Sequence, residues 1–77
     1  MIIKFYTKGC QPCYALTTLL DNMMIDYVSC NIEEEWEVAA NNKVMSVPTL
    51  LNTKTGKRLI GFKNEEKVKE FLNDNNS

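Results

Sequence analysis

The first 32 residues read as strand, helix, strand, and that order restricts the possible folds more than any other feature of the chain. Ile2 to Tyr6 is a short apolar run in which Ile3 and Phe5 face one side while Lys4 and Tyr6 face the other, as a strand places them. Thr7-Lys8-Gly9 ends it. From Gln11 to about Met23, apolar residues recur at Ala15, Leu16, Leu19, Leu20, Met23 and Met24, the spacing of an amphipathic helix with one buried stripe, and Asp21-Asn22 fall on its wet face. Tyr27, Val28, Cys30 and Ile32 then suggest a second strand. Two strands joined through a helix lie parallel in one sheet, with a right-handed crossover.

The rest of the chain completes an alternating α/β pattern. Glu33-Glu34-Glu35 supplies negative charge where a second helix would begin, which favours its N-terminus, and Trp36, Ala39 and Ala40 would form its inner face up to Asn41-Asn42. After Ser46-Val47-Pro48, the run Thr49-Leu50-Leu51 pairs naturally with Leu59-Ile60-Gly61-Phe62, an antiparallel hairpin turning near Gly56. Val68, Phe71 and Leu72 mark a last helix, and the polar tail from Asn73 to Ser77 is expected to fray. The order is β-α-β-α-β-β-α. Its 77 residues allow one domain with a modest core, burying about 60–65% of the unfolded surface, and no internal repeat or linker interrupts it.

Composition removes several functions. Nine Lys plus Arg against ten Asp plus Glu leave a net charge of −1, without general attraction to nucleic acid or an acidic membrane. No apolar run approaches the roughly 18 residues of a membrane span, and Met1-Ile2-Ile3-Lys4 is too short for a signal-peptide core, so a cytoplasmic location is expected. Three cysteines in such a context argue against a structural disulfide framework, because cytosolic disulfides are usually transient and catalytic. The absence of histidine excludes Cys-His nucleophile pairs and mixed Cys/His zinc sites, and three thiols alone cannot close a four-ligand zinc site.

Cys10-Gln11-Pro12-Cys13 falls where the first helix starts. Unpaired N–H groups and the helix dipole there stabilise thiolate over thiol, which makes Cys10 the nucleophile, and Cys13, one turn on, can attack the resulting mixed disulfide. Cys30 is most simply a small core residue, with a regulatory thiol or dimer link as the alternative.

The chain resembles the thioredoxin/glutaredoxin superfamily in its smallest form. Three landmarks in register carry the resemblance: Tyr6-Thr7-Lys8-Gly9-Cys10-Gln11-Pro12-Cys13, Ser46-Val47-Pro48-Thr49-Leu50 and Gly61-Phe62. It implies a four-stranded mixed sheet flanked by three helices, a redox-active Cys10–Cys13 disulfide with no bound cofactor, and no metal. It implies a cis bond before Pro48, for which an X-Pro bond costs only about 0.5–1 kcal/mol, and a substrate groove made by Val47, Pro48, Tyr6, Gly61 and Phe62. Lys8 would favour the Cys10 thiolate through water, by about 1 kcal/mol or less, or is a solvated loop lysine. Lys4, where relatives carry a buried proton-accepting aspartate, is expected at a strand edge reaching solvent, with tuning of Cys13 as the alternative.

The branch is mixed. Pro12 before the second cysteine and Ser46-Val47-Pro48-Thr49-Leu50 look like thioredoxin, whereas Tyr6-Thr7-Lys8, the length and Gly61-Phe62-Lys63 look like glutaredoxins and NrdH-redoxins. Ile60 stands where glutaredoxins carry the first of two glycines that hold glutathione. The resemblance therefore implies a monomeric protein-disulfide reductase recharged by a thioredoxin-reductase-like flavoprotein, with ribonucleotide reductase among its candidate substrates. A glutathione-dependent glutaredoxin is the alternative. A noncatalytic redoxin-fold adaptor and a metal or iron–sulfur binder completed by a second chain are the readings from other classes.

Overall fold

A computed structural model describes residues 1–73. In chain order its elements are β1 (Ile2–Tyr6), α1 (Gln11–Asn22), β2 (Val28–Asn31), α2 (Trp36–Asn41), β3 (Thr49–Asn52), β4 (Arg58–Ile60) and α3 (Glu65–Leu72). The strands form one mixed sheet in the order β2-β1-β3-β4. β1 pairs parallel with β2, Ile3 against Val28 and Phe5 against Cys30, and antiparallel with β3, Ile3 against Leu51 and Phe5 against Thr49. β4 continues the sheet antiparallel to β3, with Thr49 opposite Ile60. This is the expected thioredoxin-type architecture. No helix among the described residues is long and apolar enough to cross a membrane.

Alternation along β1 divides the interior in two. On one face Leu16 and Leu20 of α1, Leu50 of β3 and Val68 and Phe71 of α3 form a buried cluster, joined by Ile2, Leu19, Met23 and Leu59. On the other, Phe5, Cys30, Ala39 and Leu51 pack together under α2. Local chemistry fixes the helix ends. Pro12 occupies the first turn of α1, where its missing N–H is no loss. Asn64 caps α3 by accepting the Lys67 N–H at 3.0 Å, and Glu65 and Glu66 in the first turn complement the dipole. Gly56 turns the β3–β4 hairpin at φ 80°, a conformation that costs glycine little, and donates its N–H to the Asn52 carbonyl at 2.8 Å.

Several expectations need correction. α1 ends at Asn22, so Met24 lies beyond it in a left-handed turn and is exposed, and Ala15 points to solvent rather than into the stripe. α2 begins at Trp36, not at the Glu33 to Glu35 run, which forms a turn. Being only six residues, about 9 Å long, it seats Ala39 alone against the sheet; Ala40 is exposed and Trp36 is 64% exposed at the first position. β2 is the edge strand, and α2 is too short to cover its start, so Val28 is 51% exposed although it shares the inner face of Cys30. Lys4 is not at an edge: β1 is an inner strand, and Lys4 is 5% exposed. Gly61 and Phe62 follow β4 rather than extending it. Asn73 caps α3, and the remainder of the tail expected to fray lies outside the described residues.

This division of burial predicts that Leu16→Ala, at a fully buried site between α1 and the sheet, costs about 2–5 kcal/mol. Trp36→Ala, at an exposed helix start, should cost less than about 0.5 kcal/mol. Urea unfolding of both variants separates them, and equal losses would contradict the burial described.

Candidate active site

Both ends of the site follow from the pairing of β1. Its last residue, Tyr6, is opposite Asn31, so the loop after β1 and the loop after β2 leave the sheet at the same end. Because Phe5 faces Thr49, the Ser46-Val47-Pro48 segment entering β3 arrives there too, and Gly61 leaves β4 beside it, its N–H bonded to the Pro48 carbonyl at 2.8 Å.

Gly9 turns the chain at φ 83° into Cys10, which is the N-cap of α1 in an extended conformation. Cys10 Sγ accepts the Cys13 N–H at 3.1 Å, so a helix-start donor that would otherwise be unsatisfied points at that sulfur. Cys10 and Cys13 are joined as a disulfide with Cα atoms 5.2 Å apart, within the ordinary range. Their exposures differ. Cys10 is half-buried, whereas Cys13 is 1% exposed on the inner face of α1. Cys10 is therefore the more accessible of the two sulfurs.

The facing loop is held as firmly. The Val47–Pro48 peptide is cis, Pro48 is fully buried, and the buried Thr49 hydroxyl donates to the Ser46 carbonyl at 2.8 Å. Val47 and Gly61 are half-buried, Gly61 at φ 84°, and Phe62 is exposed. Tyr6 is half-buried at the end of β1, and Lys8 is an exposed residue of the loop that leads to Cys10. The topology thus gathers the residues expected from sequence at one end of the sheet. Cys30 is not among them: it lies on the α2 face, buried against Phe5, Ala39 and Leu51, away from the helix that carries Cys13. Burial pushes its thiol pKa up, and the neighbouring Glu35 charge and hydrogen bond add to this. Among the described residues, no group of three or more Cys, Asp or Glu side chains is gathered where it could hold a metal ion.

Three contributors escaped the sequence reading. Tyr14 reaches back along α1 so that its hydroxyl accepts the Gly9 N–H at 2.9 Å, bracing the loop before Cys10. Met45 is 92% exposed next to the Ser46-Val47-Pro48 loop. Thr17 accepts a hydrogen bond from the Lys4 ammonium. For Thr17 a signal existed, its position four residues after Cys13; the reach of Tyr14 has none, because it depends on how the loop folds back.

Lys4 sits between the sheet and α1, its Nζ 5.2 Å from the centroid of the Tyr6 ring and 5.0 Å from that of Tyr27. Tyr27 in turn donates to Asp21 at 2.9 Å. Burial lowers the Lys4 pKa below its ordinary 10.5, and the Asp21 charge opposes part of that shift. Burial also raises the pKa of Tyr27, with the hydrogen bond and charge of Asp21 acting in the same direction.

A cysteine pair at the start of the first helix and a cis-proline loop at the same end of a β2-β1-β3-β4 sheet define a thiol–disulfide oxidoreductase of the thioredoxin fold. Residues 1–75 match the family described as Thioredoxin, and the chain belongs to that family. It is 29% identical over 80 residues to the thioredoxin of Staphylococcus aureus, a match covering 92% of this chain and 77% of that protein. Mitochondrial thioredoxin 3 from Saccharomyces cerevisiae, in its oxidised form, superposes with a TM-score of 0.82 at 25% identity, over 95% of this chain and 76% of that one. A mutant thioredoxin from Halobacterium salinarum reaches a TM-score of 0.83 at 21% identity over 95% and 71%, a likeness of fold.

The buried lysine predicts a pH signature. Its pKa is lowered in the folded state, so just below 10.5 the unfolded chain binds more protons and stability rises with pH across that window. Measured by urea unfolding at about pH 8 and pH 10, the native protein should gain stability relative to Lys4→Met as pH rises. The groups common to both proteins cancel in that difference. A constant difference would mean that burial does not disfavour the charged amine.

Proposed function

We propose that this chain is a protein-disulfide reductase in which Cys10 is the nucleophile and Cys13 the resolving thiol. The observation that carries the reading is the N-cap geometry: Cys10 Sγ accepts a helix-start N–H and is partly exposed, while Cys13 lies buried one turn along. A donor that points at Cys10 in the disulfide is equally placed to stabilise its thiolate after reduction.

The Cys10 thiolate attacks one sulfur of a substrate disulfide. A Cys10–substrate S–S bond forms, the substrate S–S bond breaks, and the displaced sulfur leaves as a thiolate that takes a proton from water. Cys13, as thiolate, then attacks Cys10 Sγ. The Cys10–Cys13 bond forms, the second substrate sulfur departs with its electron pair, and two electrons have passed to the substrate. Val47 would bind an extended substrate segment through its backbone, with Pro48, Tyr6, Gly61 and Phe62 shaping the groove. The exposed loop lysine Lys8 adds a favourable charge near Cys10.

The oxidised pair is returned to dithiol by a thioredoxin-reductase-like flavoprotein, and ribonucleotide reductase is a fitting substrate because each of its cycles oxidises a dithiol. The protein acts as a monomer in the cytoplasm. Support for the thioredoxin branch over a glutathione-dependent one comes from Ile60, whose exposed side chain stands on β4 at the position expected of a glutathione-binding glycine.

NADPH oxidation tests this with two reductase systems, thioredoxin reductase alone and glutathione with glutathione reductase. Turnover is expected with thioredoxin reductase only. Cys10→Ser should abolish it, and Cys13→Ser should stall as a mixed disulfide detectable by mass spectrometry. Turnover driven by glutathione would assign the chain to the glutaredoxin branch, and full activity of Cys10→Ser would point to an adaptor.

A further inference from the structure

We infer that the buried Lys4 ammonium is a positioning charge for Cys13, favouring the thiolate that resolves the mixed disulfide. The inference rests on the oxidoreductase reading above and assigns a role to a group which that mechanism leaves unused. Lys4 enters from inner strand β1 on the side of α1, is almost fully buried, and donates to the Thr17 hydroxyl. Thr17 is four residues after Cys13 on the same helix, so their Cβ atoms are about 5–6 Å apart. The ammonium is therefore held within about one helical turn of the resolving cysteine.

The carboxylate that acts on Lys4, Asp21, lies farther along α1 from Cys13 than the amine does. From its own strand comes the Tyr6 ring, from the loop before β2 the Tyr27 ring, and from α1 the carboxylate of Asp21. Asp21 is exposed, is tied to the Tyr27 hydroxyl, and lies eight residues, two helical turns, from Cys13. From α3, this face of the sheet receives the apolar Val68 and Phe71. Packing alone does not call for an amine here, since an apolar side chain of similar length would fill the space without desolvating a charge.

During resolution the Cys13 S–H gives its proton to water, and the thiolate attacks Cys10 Sγ. The Cys10–Cys13 bond forms, the Cys10–substrate bond breaks, and the departing substrate sulfur takes the electron pair and a proton from water. Lys4 makes and breaks no bond. Its charge lies within about one helical turn of the sulfur that becomes negative, in water-poor surroundings where a fixed charge acts more strongly than in solvent.

A single-turnover reaction of the reduced protein with Ellman's reagent separates the steps, because Cys10 attack releases one coloured thiolate and Cys13 resolution releases the second. In Lys4→Met the second release should slow about tenfold at pH 7, its pH midpoint rising by about one unit, while the first release changes less. Lys4→Arg, which keeps the charge, should restore the native midpoint. An unmoved midpoint in folded Lys4→Met overturns the proposal. Should that variant fail to fold, Thr17→Val, which removes the hydrogen bond that holds the amine, must show a smaller rise, and an unmoved midpoint there overturns it equally. Absence of the first release from the native protein would instead overturn the oxidoreductase reading and this inference together.

Discussion

The position of β1 between β2 and β3 is the constraint from which the site follows. A strand with parallel pairing on one side and antiparallel pairing on the other has both rows of backbone groups satisfied, and it fixes the register of two neighbours at once. That register sends the cysteine loop, the loop before α2 and the Val47–Pro48 loop to one end of the sheet. A slip of one residue would turn Phe5 and Lys4 to the opposite faces, placing an aromatic ring against Thr17 and an ammonium among Cys30, Ala39 and Leu51. Sheet pairing and site geometry are thus the same constraint.

The periodic parts of this arrangement were legible in the sequence. The Leu16–Leu20 stripe, the alternation of β1, the Gly56 turn and the cysteine pair at a helix start all express local rules, and local rules act on neighbours in the chain. What escaped depends on non-local order. Whether β1 is an edge or an inner strand is decided by where β3 inserts, almost 50 residues later. An amine expected to reach solvent therefore became a buried one. Trp36 failed for a related reason: it was assigned to the inner face by pattern, but a six-residue α2 cannot cover the whole face beneath it.

The two buried cysteines show how position on a sheet outweighs residue type. Cys13 and Cys30 are both nearly inaccessible, yet Cys13 is carried by a helix whose first turn directs a donor at its partner sulfur, and Cys30 is carried by a strand on the opposite face, beside the carboxylate of Glu35. A carboxylate and an apolar wall oppose ionisation of Cys30, whereas a helix start favours it at Cys10. The same sheet separates the disulfide pair from the third cysteine without any difference in the side chains themselves.

Lys4 completes that contrast. Burying an ammonium is costly unless its donors and charge are matched, and here one hydroxyl, two aromatic faces and a carboxylate one turn beyond Thr17 surround it. Cation–ring contacts contribute about 0.5–2 kcal/mol each, enough to offset part of the desolvation. Because those partners lie at Tyr6 on β1, Thr17 and Asp21 on α1 and Tyr27 in the loop before β2, the amine is fixed by the fold and not by its own flexible stem. A fixed buried charge changes the energy of any ionisable group within about a helical turn, and Cys13 lies on the inner face of α1 one turn before Thr17.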